Sequence, residues 1–264
     1  MKISAIGCVV TGASEGIGRA VAQELGRRGC RVALVARRVE ALEAVRAEVE
    51  GCGGRARAFP ADVTDDEALG RAVDEAADWC DGLRLAVVNA GIGVHGAAEA
   101  LSREALRRVL DVNLIGAQNT IRAVLPHLRQ RAPSALVAVA SLAGLIPYRG
   151  GGAYGASKAA LIFYLRCLRL ELAGLGVSVG WLCPGPVATR MIVDGVPSGK
   201  LPRLSRALVP VLSVERVARE VVVHAGGRGG GRVIPATAAF FATFSRLFPR
   251  LSEWTEVATG AGEV

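Results

Sequence analysis

Tyr154-Gly155-Ala156-Ser157-Lys158 pairs a phenol with an ammonium at i and i+4, which a helix sets one turn apart on one face. An isolated tyrosine titrates near pH ~10, and a neighbouring positive charge favours the phenolate. The pair is therefore suited to exchange a proton with an alcohol or a carbonyl nearer neutrality. The lysine stands out by its rarity. Of 32 lysines and arginines only Lys2, Lys158 and Lys200 are lysines, so generic positive charge in this chain is written as arginine. Lysine is a compact, titratable point charge, whereas guanidinium is a planar fork that keeps its proton. By itself the spacing also describes a solvated surface pair, so the surrounding elements must decide.

Ala5 to Val10 reads as a short buried strand, followed at once by Thr11-Gly12-Ala13-Ser14-Glu15-Gly16-Ile17-Gly18 and a helical pattern. Glycines in such a turn admit positive φ and a close approach of backbone to a pyrophosphate, and the free N–H groups of the helix start favour the anion. The spacing Gly-x-x-x-Gly-x-Gly departs from the dinucleotide fingerprint Gly-x-Gly-x-x-Gly, and an ordinary tight turn would look similar.

The elements that must position these residues alternate along the chain. Strands are expected at Ala5–Val10, Arg31–Ala36, Arg55–Ala58, Leu85–Asn89, Ala135–Ala140, Val177–Cys183 and Arg232–Pro235. Helices are expected near 16–28, 39–50, 65–80, 103–131, 153–174 and 214–225. This rhythm over 264 residues, 51% of them hydrophobic, predicts one α/β domain, a doubly wound seven-stranded parallel sheet of Rossmann type flanked by helices on both faces. Ligands of such sheets bind at the carboxyl ends of the strands, which is where Gly12, Arg37, Asp62, Asn89-Ala90-Gly91, Ser141 and Pro184-Gly185 fall.

Composition excludes other classes. The net charge of +8 is spread along helices with interleaved acids, with neither a basic block nor an aromatic stripe, so no nucleic-acid partner is expected. His95, His127 and His224 are far apart and the six cysteines lack paired or ligand spacing, so no metal site and no disulfide framework are expected. The cysteines read as small core residues of a reducing, cytoplasmic compartment. The apolar start through Val10 is too short for a secretory leader, and no run reaches the ~18 apolar residues of a spanning helix.

In combination these motifs resemble the short-chain dehydrogenases/reductases, strongly over about residues 5 to 190. The resemblance implies a phosphate turn at Gly12, Ser14, Glu15, Gly16, Ile17 and Gly18. It places Asp62 and Val63 at the adenine, Asn89, Ala90 and Gly91 in support of the cofactor, and Pro184, Gly185, Val187 and Thr189 along the nicotinamide. It also implies that Asn113, Ser141, Tyr154 and Lys158 form the catalytic set, with Ser141 thirteen residues before Tyr154. Ser141 and Tyr154 would hydrogen-bond the substrate oxygen, and Tyr154 would give the proton. Lys158 would depress the phenol's pKa and hold the nicotinamide ribose, and Asn113 would bind a water linking Lys158 to solvent.

The end of the second strand, Ala36-Arg37-Arg38, lacks the carboxylate that would accept hydrogen bonds from a ribose 2′-hydroxyl. NADP(H) is therefore expected over NAD(H), with Arg37 and Arg38 at the 2′-phosphate. Glu15 pulls the other way, because some NADP-preferring relatives carry a basic residue there. A hydrophobic ketone or alcohol is the expected substrate, in a pocket walled by Ile92 to His95, Leu142 to Arg149 and Met191 to Leu204. Alternatives of other classes are an epimerase or dehydratase of the extended family and a non-catalytic dinucleotide sensor or scaffold.

The catalytic domain is expected over residues 1–236, including a substrate loop near 189–212, with an apolar tail over 237–264. The helices near 103–131 and 153–174 carry more apolar positions than one sheet face needs, and the resemblance implies a homodimer or homotetramer through them. The segment from Ala238 to Trp254 holds four of the six phenylalanines and one of three tryptophans. It reads either as a tail packed on its own fold or a neighbouring subunit, or as a peripheral membrane contact aided by Arg246 and Arg250. Pro249 argues against one continuous helix there.

Overall fold

Strands this apolar need cover on both faces, and the alternation of each strand divides the cover in two. The computed structural model describes residues 1–190 and 210–258, with side chains through Trp254. Its strands are β1 (Gly7–Thr11), β2 (Arg31–Ala36), β3 (Arg55–Pro60), β4 (Leu85–Val88), β5 (Ser134–Val139), β6 (Val177–Pro184) and β7 (Gly230–Ile234). They form one parallel sheet in the order β3-β2-β1-β4-β5-β6-β7, in register from Cys8 against Val32 and Leu85 to Pro184 against Ile234. The order reverses between β1 and β4, which opens a crevice at their carboxyl ends.

The helices are α1 (Gly16–Gly26), α2 (Val39–Gly51), α3 (Asp66–Trp79), α4 (Arg103–Leu110), α5 (Gly116–Gln130), α6 (Gly152–Glu171), α7 (Val214–Ala225), α8 (Ala236–Leu247) and α9 (Pro249–Ala258). Val9, Ala33, Val35 and Ala86 face a core shared with Leu69 and Val73 of α3, Ile121 and Val124 of α5, and Leu161 and Leu165 of α6. Their strand neighbours Cys8, Val10, Val32 and Leu34 face the other way, onto Val21 and Leu25 of α1, Leu42 of α2, and Val217 and Val221 of α7. Each leucine removed from water in these layers contributes roughly 2 kcal/mol.

Two expected elements differ for physical reasons. The first strand starts at Gly7, not Ala5, because Ala5 sits at φ 52°, outside extended backbone. Gly7 lets the chain pass close to the turn that leads into β4, since a Cβ there would stand 2.1 Å from the Gly82 carbonyl oxygen. The helix expected over 103–131 is three pieces, α4, a π-helical turn over Asp111–Ile115, and α5. That extra residue in the ladder rotates Asn113 fully inward. Gly116 lets α5 close on β3's outlet, because a Cβ there would lie 2.6 Å from Val63 Cγ2.

The tail forms two helices broken at Phe248, ahead of Pro249. It does not fold its aromatics into the core. Phe240, Leu247, Phe248, Leu251 and Trp254 are exposed, and the ring contacts nearby are Phe240 with Phe241 and Phe244 with Phe248. No helix among the described residues is long and apolar enough to cross a membrane. The expected pocket wall from Met191 to Leu204 lies outside the described residues.

Candidate active site

The glycine turn is held from below by the end of β4. Asn89 Nδ2 donates to the carbonyl oxygens of Thr11 at 3.0 Å and Gly12 at 3.2 Å, and its backbone N–H donates to Thr11 Oγ1 at 3.1 Å. Gly12 has φ 65° and Gly18 packs against it, for a Cβ on Gly18 would stand 2.1 Å from the Gly12 oxygen. Only glycine fits either position. Gly16 opens α1 at φ 54°, and Ile17 packs back onto the core. With no side-chain cap on the N-terminus of α1 and glycines at 12, 16 and 18, the turn fits the pyrophosphate of a dinucleotide.

Two further outlets meet this turn. Ala61 and Val63 are buried beyond β3, where Asn119 Nδ2 donates to the Val63 carbonyl at 3.0 Å. Asp62 between them accepts from the backbone N–H of Thr64 at 3.0 Å and from its hydroxyl at 2.9 Å. After β6 the chain passes Pro184 and Gly185, whose N–H donates to the Ile234 carbonyl at 2.8 Å, and Val187 bridges to Leu212. Thr189 then comes over the turn, with its methyl the nearest neighbour of a Cβ built on Gly16, 3.5 Å away.

At the end of β2 both arginines already hold carboxylates. Arg37 pairs with Asp62 at 3.7 Å, and Arg38 pairs with Glu15 at 2.8 Å while reaching Ser14 Oγ at 3.4 Å. Glu15 is also 4.0 Å from Arg190. These exposed pairs are weak, so they yield to a better anion.

The catalytic candidates sit across the crevice. Ser141 lies just beyond β5 and caps a short 3₁₀ turn, accepting from Ala143 N–H at 3.2 Å. Gly155 lets α6 press on that turn, since a Cβ there would lie 2.9 Å from the Ala143 oxygen. Lys158 is buried, and its ammonium donates to the Val139 carbonyl at 3.1 Å. Its Nζ is 5.8 Å from the centroid of the Tyr154 ring.

Burial governs both titrations. It raises the Tyr154 phenol above its ordinary value, with Ser141 pulling it part of the way back by hydrogen bonding. It lowers Lys158 to about 8, with the Cys183 thiol alongside pulling weakly upward. Desolvation sets the direction of both shifts, and the site holds a protonated phenol beside an easily deprotonated amine.

Asn113 is held at both ends of its amide. Its Nδ2 donates to the Ile92 carbonyl at 2.9 Å and to Ser157 Oγ at 3.0 Å, while Oδ1 accepts from Ile92 N–H at 2.8 Å. Both amide hydrogens are spent, so this side chain is a clamp between the loop after β4 and α6. Ser157 completes the clamp by donating to the Tyr154 carbonyl at 2.7 Å. Sequence reasoning passed over Ser157, although its place in Tyr154-Gly155-Ala156-Ser157-Lys158, one residue before the lysine, put a hydroxyl on the buried side of the helix. Gly91 leaves room for Asn113 and Lys158 to approach, a Cβ there being 3.2 Å from Asn113 Oδ1 and 3.4 Å from Lys158 Nζ.

The depressed lysine has a measurable signature. Its folded value of about 8 lies below the ordinary 10.5, so the unfolded chain binds more protons between these limits and stability rises with pH across them. Lys158→Met should thus be more stable than wild type at pH 7, by roughly 2 kcal/mol, with the gap closing toward pH 10.5. Paired urea titrations across that range check it, and a gap independent of pH contradicts it.

Comparison with known proteins agrees with this geometry. Residues 7–196 match the family model for short chain dehydrogenases. The chain is 40% identical over 183 residues to an uncharacterized oxidoreductase of Myxococcus xanthus, covering 69% of this chain and 72% of that one. A short chain dehydrogenase of Burkholderia cenocepacia, solved with NADP, superposes with a TM-score of 0.81 at 31% identity, covering 90% of this chain and all (100%) of the other. One from Mycobacterium paratuberculosis, bound to NAD, gives a TM-score of 0.81 at 25% identity with coverages of 90% and 100%. The family model spans more than half of the chain and the solved relatives share its seven-stranded parallel fold, so this chain belongs to the short-chain dehydrogenase/reductase family of nicotinamide-dependent oxidoreductases.

Proposed function

We propose that the chain is an NADP(H)-dependent oxidoreductase that interconverts a carbonyl and a secondary alcohol on a hydrophobic substrate. The observation that carries the reading is the protonated, half-buried Tyr154 beside Ser141 and Lys158, at the carboxyl edge of the sheet that also carries the glycine turn. When bound, the nicotinamide supplies or takes the hydride. Ser141 and Tyr154 hold the substrate oxygen between two hydroxyl donors, so charge developing there meets groups already oriented. Tyr154 donates its proton to that oxygen as the alcohol forms, and Lys158, near its own midpoint, returns a proton to the phenol. A phenol raised by burial is in the protonated form from which reduction starts at neutral pH.

NADP(H) is preferred on the strength of Ala36-Arg37-Arg38, where no carboxylate follows the strand to repel a 2′-phosphate. Related structures that hold NAD and NADP share the fold equally, so the choice rests on these side chains. Residues 1–236 form the catalytic unit and 237–264 an appendage. Six free cysteines fit a reducing, cytoplasmic setting.

Self-association extends the same reading. The outward side of α6 exposes Phe163 and Leu170, and an apolar groove there is lined by Leu114, Ala160, Phe163, Tyr164 and Cys167. A second copy presenting its own α6 supplies a matching apolar face, as an isologous dimer requires. The exposed aromatics of α8 and α9 suit a partner subunit more than the protein's own core.

Tyr154→Phe should leave folding and dinucleotide binding intact while turnover falls at least ~100-fold. Near wild-type turnover of this variant on a validated substrate would sink the mechanism. Arg37→Ala should weaken NADPH far more than NADH, and Ala36→Asp should move preference toward NADH. Tighter wild-type binding of NADH by titration calorimetry counts against the assignment. Light scattering should give a dimer or tetramer of the 27.4 kDa chain, reduced by Phe163→Glu; deletion of 238–264 should also reduce it. Loss of anionic-liposome sedimentation on that deletion, with the oligomer intact, points instead to a membrane role for the tail.

A further inference from the structure

The loop after β4 and the loop after β5 close on each other beside the catalytic phenol. Gly96 N–H donates to the Gly150 carbonyl at 3.0 Å, and Gly150 takes φ 75° to present it. Next to this clasp His95 Nδ1 lies 3.2 Å from Tyr148 Oη. The His95 ring centroid is 6.0 Å from that of Tyr154 and 6.1 Å from that of Tyr148, so the imidazole stands in contact with both tyrosines. Gly151 makes room for the arrangement, because a Cβ there would be 2.3 Å from Tyr148 Cζ.

Burial holds His95 below its ordinary value and pushes the Tyr148 phenol upward, so near neutrality the imidazole is uncharged and the phenol protonated. In the tautomer whose Nδ1 accepts from the Tyr148 hydroxyl, the ring hydrogen sits on Nε2. Nε2 has no hydrogen-bond partner among the described residues, and none of their buried side-chain nitrogens or oxygens is unpartnered. It therefore faces accessible space. A fixed, neutral N–H donor so placed, one ring away from the group that protonates the substrate oxygen, has no task in the chemistry derived above. Hydrogen bonds of about 2.9 Å to this donor and to Tyr154 suit oxygens on neighbouring or alternate carbons of one substrate.

We propose that His95, oriented by Tyr148, binds a second oxygen of the substrate, so that the preferred substrates are ketones or alcohols bearing a hydroxyl or carbonyl one or two carbons from the reacting centre. This rests on the carbonyl–alcohol reading above and narrows its substrate class. A site built around such a donor discriminates against an analogue that lacks the acceptor, because the donor is then left unpaired. An uncharged donor favours hydroxyl and carbonyl partners over carboxylates, which gain most from a cation.

The test compares 2-octanone, 3-hydroxy-2-octanone and methyl 3-oxooctanoate as substrates, with NADPH and with NADH. Wild type should favour at least one dioxygenated ketone by about tenfold or more in kcat/KM. His95→Phe keeps the ring and its contacts but removes both nitrogens, and should bring that ratio to within about threefold, mainly through KM. Tyr148→Phe, which frees the tautomer, should lower the ratio partway, and it serves alone if His95→Phe does not fold. Equal kcat/KM for all three ketones in wild type, or an unchanged ratio in both variants, overturns the subsite while leaving carbonyl reduction standing. Reduction of no ketone with either dinucleotide overturns the underlying reading and this inference together.

Discussion

A cation with almost no access to water needs strong reason to stay. Lys158 is 4% exposed, and among the described residues the one hydrogen bond to its ammonium is the Val139 carbonyl. Transfer of an ammonium into such a setting is unfavourable, and the lowered pKa is its visible trace. The surrounding packing enforces it. Gly144 admits α6, since a Cβ there would lie 2.8 Å from the Lys158 carbonyl carbon, and Gly155 admits the Ser141 turn in return. Helix, turn and strand end are thus pressed together so closely that the amine has nowhere else to go. Natural proteins hold such strain at sites where it serves chemistry.

The polar groups around the lysine form a chain in which each member fixes the next. Ile92 is held by Asn113, Asn113 by Ser157, and Ser157 by the carbonyl of Tyr154. The π-helical turn is what brings Asn113 into this chain, for a regular α-helix from Arg103 would carry the amide to a different angle. On the opposite wall Asn89 does the same for the glycine turn through Thr11. Two asparagines therefore position the two halves of the crevice, both working as cross-braces between segments distant in sequence.

Much of this was legible before any coordinates. Continuous apolar runs such as Val32-Ala33-Leu34-Val35 announce buried parallel strands, and the glycine turn and Tyr154 to Lys158 mark the carboxyl edge. Other features depend on long-range packing and leave little local trace. The π-turn replaces a helix whose apolar pattern runs unbroken through Val112 and Leu114. The first strand begins late because of one backbone angle at Ala5. The direction of the Tyr154 shift follows from how completely α6 is covered, which a pair of residue types cannot report. The tail's composition leaves open packing on its own fold, on a neighbouring subunit or on a membrane, and a chain that has already closed both faces of its sheet keeps Phe240, Phe248 and Trp254 exposed.

The carboxylates at the end of β2 change what binding an anion there means. Arg37 and Arg38 are each already engaged, to Asp62 and to Glu15, so an arriving phosphate trades places with a carboxylate instead of neutralising a bare charge. Such an exchange releases no net pair of ions, and added salt weakens the outgoing contact along with the incoming one. Affinity at this edge should consequently depend on ionic strength less steeply than two unpaired guanidinium groups would make it. The displaced acids, still close by, would also hasten departure of the ligand by competing for the same forks. The pairing thus works as a built-in counterion, one that travels with the protein through any buffer.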